Sequence, residues 1–229
     1  RSVYQSAYRV LVASNKKLLE SGTADIWDSG MVESHRFVHV PYEGPPQRSR
    51  TRYYWKVQVW DRLGELRESG ISFWETGLLS PDDWTASWIS RGDFGDDDQS
   101  RWMPQFRHEF ISEKTIARAR VYISGLGQYE LRLNGHKVSE DVLQPGWTNF
   151  DKTVLYNVYD VTEHIQNGSN AIGVMLGNGF YNVPGGRYRK FKGSFGKPKC
   201  RVQLEIEYAD GSHLTVGSSS KWKTCLSPI

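Results

Sequence analysis

The stretch CRVQLEIEYADGSHLTV, residues 200–216, decides the fold class. Val202, Leu204, Ile206 and Tyr208 alternate with Arg201, Gln203, Glu205 and Glu207, the two-residue period of a strand with one buried and one wet face. Asp210-Gly211 follows, a pair suited to the positive φ of tight hairpin turns, and residues 214–216 answer it with a second apolar run. The sequence therefore predicts an antiparallel hairpin.

Working outward, the same signature recurs. QYELRL (128–133) runs directly into Asn134-Gly135 and then HKV (136–138), so Asn134 is expected to be a turn residue rather than a ligand contact. Further strands are expected over 106–111, 117–124, 153–161 and 171–176, with Asn167-Gly168 turning the chain between the last two. About eight strands with little helix fit a jelly-roll sandwich.

The first third carries the same period. AYRVLVA (7–13), residues 37–42, TRYYWKVQVWD (51–61) and ISFWE (71–75) read as strands, and residues 27–31 and Leu63-Gly64-Glu65 as turns. In 51–61, Tyr54, Lys56, Gln58 and Trp60 take one face and Tyr53, Trp55, Val57 and Val59 the other. Aromatics on both faces mark a central strand. NKKLLE (15–20) is the helix candidate. Short strands at this spacing predict an immunoglobulin-like sandwich, and the absence of Cys excludes the disulfide-pinned subtype. LLSPDDWTASWISR (78–91) reads as a joint, with Trp84 and Trp88 about one helical turn apart and packing the linker onto its neighbours. GDFGDDDQS (92–100) reads as a solvated acidic loop.

Composition removes several functions. The one basic cluster, RYRKFKGSFGKPK (187–199), has no nucleic-acid-binding module around it, so nucleic acid is not an expected partner. No apolar run approaches the ~18 residues of a membrane span. Cys200 and Cys225 make neither a disulfide framework nor a zinc motif and are expected to be buried or half-buried thiols. The chain starts at Arg1 without Met and without a signal peptide, and reads as an excised piece of a longer protein.

Catalytic patterns are equally sparse. Glycoside hydrolysis needs two facing carboxylates. Glu109, Glu130, Glu140 with Asp141, Asp151 and Asp160 read instead as separate surface or turn charges. There is no GxSxG elbow and no HExxH spacing, and His136 and His164 read as exposed turn residues. Asp93, Asp96, Asp97 and Asp98 offer oxygen ligands to a hard cation but lack EF-hand spacing.

Binding chemistry is better represented. Nine Trp and twelve Tyr supply flat apolar faces of the kind that stack on sugar C–H groups, with amides and hydroxyls to meet ring hydroxyls. Two turns combine them: Gly146-Trp147-Thr148-Asn149-Phe150 and Gly177-Asn178-Gly179-Phe180-Tyr181-Asn182. Trp147, Asn149, Asn178 and Tyr181 are the candidate sugar-binding residues. The alternative is that Trp147, Phe180 and Tyr181 cap the sandwich core, and residue chemistry leaves both open.

The ordered segments SRTRYYWKVQVWD, WETGLLSPDDWTASWI, GLGQYELRLNGHKVSEDVLQPGWTNFDKTVLYNVYDVT and LGNGFYN resemble the N-terminal region of bacterial α-L-rhamnosidases, glycoside hydrolase family 78. The likeness spans nearly the whole chain and is most specific over 125–182. It implies an all-β chain: a fibronectin type III-like sandwich over 1–79, lacking its first strand, then a jelly-roll of galactose-binding type over 80–229. In some members a similar module binds L-rhamnose with the help of calcium. The resemblance implies an inverting parent enzyme whose (α/α)6 catalytic barrel and catalytic acids lie beyond Ile229, leaving this stretch inert, with its own barrel and rhamnose-containing glycosides as partners. It favours a periplasmic or secreted bacterial setting over the cytoplasm. Phe180 stands where relatives often carry Trp.

Overall fold

The computed structural model describes residues 4–92, 102–183 and 193–228 and forms two compact units, Arg1–Asp83 and Trp84–Ile229. The acidic run from Asp93 to Asp98 and the basic run from Arg187 to Lys190 lie outside the described residues.

The first unit comprises β1 (Gln5–Ala13), α1 (Lys16–Glu20), β2 (Trp27–Asp28), β3 (Val32–Glu33), β4 (Arg52–Asp61), β5 (Leu66–Glu68) and β6 (Ser72–Glu75). These strands make one six-stranded antiparallel sheet. β4 is central, as its two aromatic faces require: β1 pairs one edge, and β5 and β6 share the other. Asn15 caps α1, its side-chain oxygen accepting from the Leu18 N–H at 3.1 Å. The helix buries Leu19 against Leu11 and Ala13 on one sheet face. Two expectations fail. Trp27 and Asp28 are strand rather than turn, paired to Val12 and Leu11, and the reversal comes at Gly30 with φ 63°. Residues 37–42 alternate like a strand but form none, because no neighbouring strand among the described residues meets their backbone groups.

The second unit comprises β7 (Trp102–Ser112), β8 (Ile116–Leu126), β9 (Gln128–Leu133), β10 (His136–Lys137), β11 (Tyr156–Asp160), β12 (Gly168–Gly177), β13 (Asn182–Val183), β14 (Gly193–Ser194), β15 (Lys199–Tyr208), β16 (His213–Gly217) and β17 (Lys223–Pro228). One sheet runs β10-β9-β12-β7-β17 and the other β11-β8-β15-β16, all antiparallel. Alternation supplies the core: Ala119, Val121 and Ile123 of β8 and Val202, Leu204 and Ile206 of β15 meet Leu131, Leu133, Ile172, Val174 and Leu176 from the opposite sheet. The strands exceed the expected eight because β17 and the β13–β14 pair lack a readable pattern. β17 is an edge strand whose Lys223, Thr224 and Cys225 are all exposed, which also corrects the expectation for the Cys225 thiol.

Asn134 and Gly135 hold φ 52° and 85°, as a two-residue hairpin demands. Asn134 does more: it accepts from the Ala171 N–H and donates to Asn170 Oδ1 and the His164 carbonyl, locking three segments together. His164 is accordingly half-buried rather than an exposed turn residue, with its Nδ1 buried and unpaired.

The outer face of the β8–β15 sheet is covered by a strap over 84–89. The fully buried Gln203 side chain accepts from the Thr85 N–H at 2.7 Å, the Ala86 N–H at 3.1 Å and the Thr85 hydroxyl at 3.1 Å. Arg201 donates to the Ala86 carbonyl and sits over the Trp84 ring. Trp84 thus packs the joint onto the second unit as expected, whereas Trp88 stays exposed. A Gln203→Leu substitution keeps the volume but strands two backbone donors, so we expect a loss of about 1–3 kcal/mol in denaturant unfolding.

Candidate functional site

The two aromatic turns converge on one end of the second unit because of where their strands pair. Gln128, the first residue of β9, lies opposite Gly177, the last of β12, and the adjacent Tyr129 N–H donates to the Gln144 carbonyl at 2.8 Å. Gly127 permits that closeness. Its φ is 122°, and a Cβ there would sit 2.3 Å from the Gly177 carbonyl oxygen.

In the first turn, Asn149 holds its own backbone: its side-chain oxygen accepts from the Asp151 N–H and its carbonyl from the Lys152 and Thr153 N–H groups. The Thr148 hydroxyl donates to the Thr153 carbonyl. Trp147 projects from this scaffold and is 61% exposed. In the second turn, Asn178 closes the loop twice, through its carbonyl with the Asn182 N–H and through its side-chain oxygen with the Asn182 amide. Phe180 projects from it, 47% exposed. The two projecting rings stack on each other with centroids 4.8 Å apart and planes 14° from parallel.

Tyr181 faces the other way. It is 5% exposed, its hydroxyl donates to the Phe195 carbonyl at 3.0 Å, and its ring stacks on Phe195 and meets Phe150 edge-on. Burial, followed by the Asp151 charge, raises the phenol pKa, so it stays a neutral donor. Of the four candidates, then, Trp147 is a surface platform, Asn149 is an exposed turn former beside it, Asn178 is a half-buried loop closure, and Tyr181 is a support beneath. Phe180, outside the four candidates, is the ring that stacks on Trp147. Phe195 was missed. Its one signal was a lone aromatic between Ser194 and Gly196 in a run read as basic.

Three of the carboxylates raised above are paired with basic side chains. Glu109 pairs with Arg107, Glu130 with Arg132 and Lys137, and Asp160 with Arg120. Hydrogen bonding, chiefly from Lys137 and then Arg132, holds the Glu130 carboxyl below the usual range, and Arg107 does the same to Glu109. A glycosidase acid requires the opposite displacement. Among the described residues no group of three or more His, Cys, Asp or Glu gathers at a common point, and no helix is long and apolar enough to cross a membrane.

This architecture has relatives. The family described as the α-L-rhamnosidase N-terminal domain matches residues 114–229, half of the chain. The chain belongs to that family. Residues 1–80 match a second family, described as the Rha78A-like N-terminal immunoglobulin domain, so the single sheet of the first unit is the immunoglobulin-like element. An α-L-rhamnosidase of Formosa agariphila is 38% identical over 98% of this chain, and one of an Alteromonas strain is 33% identical over 97%. Among solved structures, an α-L-rhamnosidase from Dictyoglumus thermophilum is 38% identical and superposes over 97% of the chain with a TM-score of 0.87. The Streptomyces avermitilis α-L-rhamnosidase complexed with L-rhamnose superposes with a TM-score of 0.85, but at 24% identity it supports the fold alone. Its alignment runs over 393 residues although this chain has 229, so that relative carries long additional sequence within the matched stretch. The chain spans about a quarter of the length of the Formosa, Alteromonas and Dictyoglumus relatives.

The different burial of the two candidate rings gives a direct check. Tyr181→Ala empties a packed pocket and is expected to cost about 3 kcal/mol in urea unfolding, whereas Trp147→Ala, at an exposed site, should cost under about 1 kcal/mol.

Proposed function

We propose that this chain is the non-catalytic N-terminal part of an α-L-rhamnosidase, an enzyme releasing terminal α-L-rhamnose from glycosides, and that the Trp147–Phe180 pair is a platform for the sugar. The observation that carries this reading is the stacked, half-open ring pair at the end of a rigid sandwich. Rhamnose presents C–H faces and a methyl group, and both are complementary to exposed rings. Exposed Asn149 stands on the rim to meet hydroxyls. Asn178 and Tyr181 enter this proposal as supports that hold Phe180 in place. A periplasmic or secreted setting, where plant glycosides are met, suits it. The bond-breaking acids belong in this reading to the helical barrel of the parent protein.

A second reading has a specific observation behind it. Val142, Leu143, Leu155 and Phe195 are exposed apolar side chains on the same turns or against them, and an apolar surface of this kind suits docking of the parent's catalytic domain. Titration of the chain with L-rhamnose, followed by calorimetry and Trp fluorescence, separates the two. The platform reading expects millimolar affinity that Trp147→Ala abolishes. No response at saturating sugar leaves only the docking role. Parallel titrations with calcium and with a chelator test whether the metal implied by the family resemblance takes part.

A further inference from the structure

The outer face of the β10-β9-β12-β7-β17 sheet carries a row of cations. Register places them: Lys137 of β10 lies opposite Arg132 of β9, Arg132 opposite Gly173 of β12, Gly173 opposite Arg107 of β7, and Arg107 opposite Lys223 of β17. The four side chains point away from the core, since the neighbouring Leu131, Leu133, Phe106 and Trp222 are buried. At a strand spacing of about 4.8 Å the row spans about 19 Å, straight across the strands. Gly173 leaves its middle empty, with no side chain between Arg132 and Arg107. Two carboxylates share the face. Glu130 binds Arg132 at 2.7 Å and Lys137 at 2.8 Å, and Glu109 binds Arg107 at 2.6 Å. Lys223 is exposed and makes no ion pair among the described residues, although its charge reaches Glu109 and helps Arg107 hold that carboxyl below the usual range. Four cations against two carboxylates leave the row with a net charge of +2.

The floor beneath the row shows which anion fits. Ala171 and Met175 flank Gly173 on β12, and beside them an open groove of about 480 Å³ is lined by Arg107, Glu109, Ile111, Ser169, Ala171 and Asn134. Among the described residues of these strands no aromatic side chain points to this face, so nucleic-acid bases have nothing to stack on. An acidic peptide adds to a sheet along its edge rather than lying across five strands. A pyranose chain meets both features of the face. Its C–H groups suit the low apolar floor, and carboxylates on its rings suit the planar forks of Arg132 and Arg107, whose geometry matches a carboxylate.

We infer that this row is a docking track for a uronate-bearing glycan, which crosses the sheet at right angles to its strands. That the polymer is a glycan rests on the glycosidase reading proposed above, and that it is anionic rests on the row. The test is calorimetry of the 229-residue chain with a galacturonate oligomer at low and high salt, beside the methyl ester of the same oligomer, a dextran sulfate and a single-stranded DNA. The oligomer should bind, more weakly as salt rises, and its uncharged ester should not. Arg107→Gln and Lys223→Gln together should lower the affinity at least about fivefold with the unfolding midpoint unchanged, and Lys223→Gln alone, which breaks no ion pair among the described residues, should already weaken it. No heat from the oligomer, or equal heat from its ester, would overturn the assignment, as would tighter binding of the dextran sulfate or the DNA. Binding kept by the double variant but lost with Trp147→Ala would also overturn it and move the glycan to the ring pair. The L-rhamnose titration reads that ring pair separately, so either surface can fail without the other.

Discussion

The closure of β8 and β15 over β9, β12 and β7 is the contact on which the second unit depends. Each strand contributes a row of apolar residues at a two-residue spacing, and the rows leave water only when the two sheets meet. The antiparallel ladders satisfy the buried backbone meanwhile. The remaining features are consequences of that closure. Gln203 is forced inward on the outer face of β15 and recruits the 84–89 strap, and the sheet ends fix where the turns emerge.

The candidate site is built on those ends. Gly127 brings the start of β9 against the end of β12, and the bridge from Tyr129 to Gln144 adds the third segment. Part of the polar capacity of the two turns is spent on the turns themselves: the Asn149 side-chain oxygen accepts from the Asp151 N–H and that of Asn178 from the Asn182 side-chain amide. The Trp147 and Phe180 rings face solvent. Division of labour between the buried Tyr181 ring, which packs against Phe150 and Phe195, and the exposed pair of Trp147 and Phe180 follows from which side of the turn each side chain occupies.

Much of this was legible before any coordinates. Strands with clean alternation, such as β9, β12 and β15, and turns with Asn-Gly or Asp-Gly were found where the period and the positive φ required them. The convergence of the 144–150 and 177–182 turns on one end was not legible, because it depends on a long-range register rather than on local pattern. Nor was the sidedness of Phe180 and Tyr181, neighbours with similar chemistry and opposite fates. β17 escaped because an exposed edge strand needs no alternation. Residues 37–42 misled for the converse reason, since their strand pattern is real while no described strand pairs with it.

The most direct test of this account is native-state hydrogen exchange across the second unit. If sheet closure is the governing contact, the amides of 121–123 and 202–206 will be the slowest and will open together at the free energy of global unfolding, while those of Lys152, Thr153 and Asn182 will open locally at lower cost. Amides of 121–123 exchanging as fast as those turn amides would contradict the claim that the closed sheets hold the aromatic end in place.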